Sequence, residues 1–330
     1  MNTKKILVAF IGFLSFVLLA AGCAGGSNLQ PKNSDVAVII KGSDSDFWNE
    51  VKSGAFSAAT EYNIDITFEG PDNEEDYESQ NKMIEKAVSK NVGAIVLSAI
   101  DYEKNASSVQ KAIDKGIKVI TVDSDVNVSG KELFIGTDNV SAGKKAAKRA
   151  VALCENQKSV NIGIVNYGEN TENGQQRLKG FKDYISKVEN AKIVATVNVE
   201  SNEENATSSA KRLLEENENI NVLIGFNEWS TIGVGNAIKE LNLKDKVFGI
   251  GFDSNVNCIG MLETGEIDTL IVQNPFSMGY LSVSKAAELL SGNHKGDSVI
   301  ETDTYVVTRE NMFSPDIQKI LFSFNSNENN

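Results

Sequence analysis

The residues able to do chemistry in this chain lie where short apolar runs stop. Lys41 to Trp48 follow Val36–Ile40, and Asp123 and Ser124 follow Val119–Val122. Asn227 follows Val222–Phe226, Asp253 follows Gly249–Phe252, and Gln273 follows Ile271 and Val272. Ammonium, carboxylate, hydroxyl and amide groups of this kind donate and accept in several directions, which a polyhydroxylated ligand requires. Phe47 and Trp48 add flat apolar faces suited to the C–H side of a sugar ring. Each residue also has a structural use as a helix cap or a solvated loop residue, and Asp44 and Asp138 are well placed for capping. Five polar interruptions arriving from both halves of the chain favour a shared binding crevice.

Catalysis finds little material. His294 is the one histidine, in a Gly-Asn-His-Lys-Gly loop expected to face solvent. That leaves no His-based triad away from this loop and no multi-His metal site. Neither G-x-S-x-G nor G-x-x-x-x-G-K-[ST] occurs. Gly249-Ile250-Gly251 and Gly233-Val234-Gly235 are bare fragments that lack the third glycine of a dinucleotide fingerprint. No catalytic residue, metal or cofactor is therefore expected. A net charge of −13 argues against nucleic acid and against anionic lipid surfaces.

The elements that must position the crevice alternate. Short β-rich runs, among them Ala94–Ser98, Lys118–Val122, Asn161–Val165 and Thr269–Val272, are separated by longer amphipathic segments. Several of the runs are continuously apolar, as expected of strands covered by helices on both faces of a parallel sheet. Tyr77–Asn91 and Ala106–Lys115 read as helices, the second closed by Gly116 as a left-handed cap. Eleven strand candidates exceed one comfortable open sheet. The expected fold class is α/β, with two doubly wound parallel-sheet lobes whose ligand crevice lies beyond the strands' carboxyl ends. The tail from Phe313 to Asn330 turns polar and is expected to fray.

The amino terminus carries an address. Lys4 and Lys5 precede an apolar or small run from Ile6 to Ala21, too short for a comfortable membrane span. Residues 1–22 read as a signal peptide. Leu19-Ala20-Ala21-Gly22-Cys23 resembles the lipobox of bacterial lipoproteins, which implies a diacylated Cys23 holding the chain at the outer face of the cell membrane. Residues 23–34 then form a Gly/Ser/Asn/Pro tether. Cys154 and Cys258 read as buried free thiols, with a long-range disulfide left open in this compartment.

From about Val36 to Val307 the chain is similar to the type I periplasmic sugar-binding proteins, the ribose-, galactose- and arabinose-binding family of bacterial ABC importers. The resemblance is carried by VAVIIKGSDSDFWNEVKSGA (36–55), VITVDSD (119–125), IGTDNVSAG (135–143), RLKGF (177–181), VFGIGFD (247–253) and IVQNP (271–275), in the family's order. It implies that Asp123, Asn227, Asp253 and Gln273 hydrogen-bond sugar hydroxyls, that Phe47 and Trp48 pack on the ring, and that Lys41 reaches the ring and anomeric oxygens. Ser45 joins the candidate site from the first binding loop. Arg177 is expected just outside the site, in a structural role.

Two positions depart from the ribose-type pattern. Ser124 and Gln175 stand where those proteins place arginines, and the region around Ser201 lacks an expected aromatic. Arginines that fork onto several hydroxyls are hard to replace, so another pentose, a hexose, a polyol or a related signal molecule is expected in place of ribose. The family's architecture implies an N-terminal lobe of 35–137 plus 274–302 and a C-terminal lobe of 138–273 plus 303–330. A three-strand hinge would join them near Thr137–Asp138, Gln273–Asn274 and Thr302–Asp303. The implied protein is a monomer serving a membrane permease, or alternatively a sensor kinase or chemoreceptor. A LacI-type regulator shares the core fold but needs a DNA-binding headpiece where this chain has its signal.

Overall fold

The computed structural model describes residues 34–43, 45–294 and 296–322. The signal, Cys23, most of the tether, Asp44 and the last eight residues lie outside them. Twelve strands and ten helices form among the described residues.

The first sheet contains β1 (Val36–Ile39), β2 (Ile66–Glu69), β3 (Ala94–Leu97), β4 (Lys118–Val122), β5 (Leu133–Thr137) and β11 (Val299–Thr302). Its order is β11-β5-β4-β3-β1-β2, and every pairing is parallel. The second sheet contains β6 (Val160–Tyr167), β7 (Ala191–Val199), β8 (Val222–Gly225), β9 (Phe248–Phe252), β10 (Thr269–Val272) and β12 (Tyr305–Val307). It runs β12-β10-β9-β8-β6-β7, with β12 alone antiparallel. Two α/β lobes result, and the chain passes between them after β5, after β10 and after β11.

One strand, β11, was not expected. Its four residues are too few to show alternation, and Val299 is half exposed because the strand lies at a sheet edge. By contrast β1, β3, β8 and β10 are buried throughout, as continuous apolar runs require.

Helices sandwich both sheets. In the first lobe they are α1 (Asp46–Tyr62), α2 (Tyr77–Ser89), α3 (Ala106–Asp114) and α9 (Pro275–Leu290). In the second they are α4 (Asn139–Leu153), α5 (Glu172–Ile185), α6 (Glu203–Glu216), α7 (Glu228–Glu240), α8 (Val256–Thr264) and the short α10 (Pro315–Leu321). Apolar clusters fill both faces of each sheet, Val51 and Val283 on one side of the first and Ile84 and Val109 on the other. Burying each such aliphatic side chain is worth about 1.5–3 kcal/mol. Helix α1 crosses α9 closely enough that a Cβ on Gly279 would sit 1.9 Å from the Val51 carbonyl oxygen. The second lobe repeats the device. A Cβ on Gly143 of α4 would lie 2.0 Å from the Arg177 carbonyl oxygen of α5, so Gly143 sets how deeply α5 seats.

Cys154, at the end of α4, and Cys258, inside α8, are both free and buried. His294 departs from the expected solvent-facing position: it is half-buried, with Nδ1 3.6 Å from the Glu288 carboxylate.

Candidate functional site

Each sheet reverses its strand order once, between β1 and β3 in the first lobe and between β6 and β8 in the second. Crevices at the carboxyl ends of strands beside such a switch point are where open α/β sheets bind ligands. Here the two crevices face each other and form one cleft.

Lys41 enters from the residues after β1 and is 3 % exposed. Its Nζ lies 3.1 Å from Asp123 Oδ2 and 5.8 Å from the ring centroids of both Trp48 and Tyr167. Burial alone would lower its pKa, but the Asp123 charge, with Tyr167 and Glu74 behind it, holds the ammonium above its ordinary value. Buried Gln80 ties the two switch-point strands together. Its Nε2 donates to the Ile40 and Ser98 carbonyls at 2.9 and 2.8 Å.

Ser45 caps α1, its hydroxyl accepting from the Trp48 N–H at 3.3 Å. Phe47 meets Trp48 edge to face with centroids 4.9 Å apart, and Trp48 Nε1 donates to Glu74 Oε1 at 2.7 Å. The indole is thereby fixed before any ligand arrives.

Two aspartates occupy equivalent places. Asp123 ends β4 with φ 60° and Asp253 ends β9 with φ 69°, both in the left-handed region that non-glycine residues seldom adopt. Strain of this kind concentrates at functional sites. Asp123 is surrounded by donors. Ser98 Oγ donates to it at 3.1 Å, and Asn173 Nδ2 reaches both its oxygens at 3.1 and 3.0 Å from the opposite lobe. Asp253 receives one amide bond, from Gln273 Nε2 at 2.7 Å. Burial pushes the Asp253 carboxyl above the usual range, opposed by the nearby Arg177 charge and by the Gln273 bond.

At the hinge, Gln273 Oε1 accepts from Thr137 Oγ1 at 2.9 Å and from Arg177 Nη2 at 2.8 Å. Arg177 also donates through Nε to Asn139 Oδ1 at 2.9 Å and through Nη1 to the Phe226 carbonyl at 2.7 Å. Asn227 caps α7 with a full capping box: its Oδ1 accepts from the Ser230 N–H at 2.9 Å. Its Nδ2 donates to no group among the described residues, and the residue lines the cleft.

The structure brings Lys41, Ser45, Phe47, Trp48, Asp123, Asn227, Asp253 and Gln273 to one cleft. It does not bring Ser124 or Gln175 there. Ser124 is fully buried with its Oγ unpaired, and Gln175 is exposed with Nε2 donating to the Glu169 carbonyl at 3.0 Å. On α5 the inward face carries Asn173, Gly174 and Arg177, so Gln175 turns to solvent. Arg177, expected outside the site, lines the cleft together with Glu74, Tyr167, Asn173, Glu228 and Trp229. Tyr167 ends β6, a strand end of the same kind as those that carry Lys41 and Asp123. Glu228 and Trp229 adjoin Asn227, while Glu74 and Asn173 gave no local signal.

Phe181, Phe226 and Phe252 stack edge to face behind the second-lobe wall. The lobes touch elsewhere too, through Tyr102 N–H to the Asn170 carbonyl at 3.0 Å and Ser201 N–H to Glu75 Oε1 at 2.8 Å. In this closed arrangement the inner cleft encloses about 30 Å³, space on the order of one or two waters. A sugar must therefore part the lobes or displace these side chains to enter. Among the described residues, no group of His, Cys, Asp and Glu is arranged to hold a metal ion.

A model of the periplasmic binding protein domain matches residues 36–294. This chain belongs to the type I periplasmic sugar-binding family. It is a family of substrate-binding transport proteins rather than enzymes. The chain is 24 % identical over 307 residues to the D-allose-binding periplasmic protein of Escherichia coli (strain K12), spanning 91 % of this chain and 95 % of that one. A carbohydrate transporter solute-binding protein of Agrobacterium radiobacter, solved in complex with D-arabinose, superposes with TM-score 0.84 at 28 % identity. That match covers 88 % of this chain and 99 % of the other. An ABC transporter solute-binding protein of Agrobacterium vitis with bound D-fucose gives TM-score 0.83 at 31 % identity, covering 87 % and 99 %.

Proposed function

We propose that this member of the family captures a monosaccharide-sized polar ligand between its lobes and delivers it to an ABC importer, held at the outer face of the membrane by a lipid on Cys23. The observation that carries the reading is the pair Asp123 and Asp253. Both sit in left-handed backbone at equivalent strand ends, and both face a cleft supplied by opposite lobes. Lys41 and Asn227 Nδ2 add donors, and Trp48 adds a ring face. A ligand gripped from both sides binds the closed form better than the open one, and that difference drives closure. Several relatives are named as import or transport proteins, which favours a permease partner over a sensor kinase.

The expected division is a lobe of 35–137 with 274–302 and a lobe of 138–273 with 303–330, acting as a monomer. A thermal-shift panel of D-allose, D-ribose, D-arabinose, D-fucose, other hexoses and polyols tests the capture reading. A ligand at 100 times its Kd should add about 2.7 kcal/mol to stability. A flat response to every sugar and polyol would sink the reading. For the anchor, Cys23→Ala should abolish partition into detergent. Unchanged partition would remove the lipid assignment.

A further inference from the structure

The cleft holds more negative charge than it neutralises. Lys41 is committed to Asp123, and Arg177, the other cation lining the cleft, spends its donors on Asn139, the Phe226 carbonyl and Gln273 while its charge acts on Asp253 from beyond 4 Å. Glu228 and Asp253, each 6 % exposed, have amide partners instead of cations: Asn255 Nδ2 donates to Glu228 Oε1 at 2.7 Å, and Gln273 serves Asp253. No Lys, Arg or His comes within 4 Å of either carboxylate among the described residues. Removing a carboxylate from water without a counter-charge is costly, and the group then takes a proton or a cation.

A second chamber of about 360 Å³ opens from this cleft at Trp48, Glu74 and Trp229, the residues common to both. Each lobe supplies one wall. Asp72, Glu74 and Glu75 face Glu200 across it, and neither Lys nor Arg is among its lining residues. The chain's two tryptophans thus flank the passage between the inner cleft and an acidic vestibule. An indole face beside buried carboxylates is a setting that attracts an organic cation.

Resting on the capture reading above, we propose that the ligand is an amino sugar, or a saccharide that carries one, with its protonated amine against the Glu228 carboxylate and its approach path through the Trp48–Trp229 vestibule. With a neutral sugar, Glu228 would have only a proton to neutralise it. The amine would instead supply the missing positive charge and bridge the lobes.

Glu228 faces Asp253 on its own lobe and Asp46 and Glu74 from the other, with the Cys258 thiol close by. Burial first, then these carboxylates, push its carboxyl up to about 7, opposed by the Asn255 bond. Binding a cation there requires the ionised form. Below pH 7 the affinity for the amine should therefore fall by about tenfold per pH unit, with a proton released on binding.

Calorimetry on the full chain in detergent tests this with D-glucosamine and D-galactosamine, their N-acetyl derivatives, and D-glucose, D-galactose, D-allose and D-ribose. The expected result is at least tenfold tighter binding of an amine than of its neutral parent and its N-acetyl form. That preference should shrink between pH 7 and pH 5.5, and the amine's heat should vary with the buffer's ionisation enthalpy. Glu228→Gln should bring the amine-to-parent ratio close to one. If that variant does not fold, the pH profile of the unaltered protein decides the matter alone. Neutral sugars binding as tightly as their amines, or an amine preference indifferent to pH over this range, overturns the proposal and leaves the capture reading standing. No binding by any compound of either series overturns both.

Discussion

Asp123 and Asp253 are the same idea executed twice, and the difference between them shows how the two lobes divide labour. Each ends a central strand in left-handed backbone and points into the cleft. Asp123 is held within its own lobe by Lys41 and Ser98, and in the closed arrangement also by Asn173 from the other lobe. Asp253 has Gln273 alone, and burial raises its carboxyl's pKa. The first lobe therefore presents a neutralised, rigid floor. The second presents hydrogen-bonding capacity still to be used. Asn227 Nδ2 and Glu228, both on the second lobe, follow the same rule.

The largest effect expected from breaking this contrast is on folding. Asp123→Ala strands the Lys41 ammonium in a site where it is 3 % exposed, and removal of one partner of a buried pair costs roughly 3–5 kcal/mol. Urea denaturation should show a lowered midpoint. Asp123→Ala with a near-normal midpoint would mean that Lys41 finds water or another partner easily.

Asp253→Ala should behave oppositely, leaving stability nearly intact and weakening ligand. Loss of a buried acceptor leaves ligand hydroxyls unpaired, at about 2–4 kcal/mol, or roughly thirty- to a thousand-fold in Kd. Calorimetry with whichever sugar the thermal panel selects measures it. Near-normal affinity in both aspartate variants would place the ligand elsewhere.

A comparable but more gradual effect concerns pH. Glu228's carboxyl is raised in the folded protein from 4.5 to about 7, so the native state binds this proton more tightly than the unfolded chain does. This residue's contribution to stability should be greatest at low pH and decline as pH rises from about 4.5 through about 7, by about 3 kcal/mol. Comparing wild type with Glu228→Gln by urea titration at pH 5 and pH 8 isolates it: the variant's curve should be the flatter one.

The smallest effect belongs to the cap. Ser45→Ala removes the side-chain acceptor for the Trp48 N–H and should cost about 1 kcal/mol of stability. Sugar affinity should fall only slightly, because Glu74 still holds the indole. A large loss of affinity would mean that the cap, not Glu74, orients Trp48.

How much of this was legible in advance follows from what is local. Continuous apolar runs bounded by polar residues gave the central strands, and their carboxyl ends gave Lys41, Asp123, Asn227, Asp253 and Gln273. Those signals are periodicity and punctuation within about ten residues. Gln175 holds the family's position in the sequence yet lies outside the cleft, because the face a helical residue shows depends on which side of α5 packs. Gly143 decides that packing by letting α5 approach α4.

Side-chain type and short-range spacing are enough to fix the alternation of strands and helices, the acidic charge and the candidate polar ends. Which charges meet is set by the folded arrangement. That Lys41 pairs with Asp123, that Arg177 stands near Asp253 without contact, and that Glu228 has no cation beside it depend on strands roughly 80 to 210 residues apart in the chain arriving at one cleft. Coulomb energy depends on distance in space and on exclusion of water, and neither is written in the order of residues along the chain.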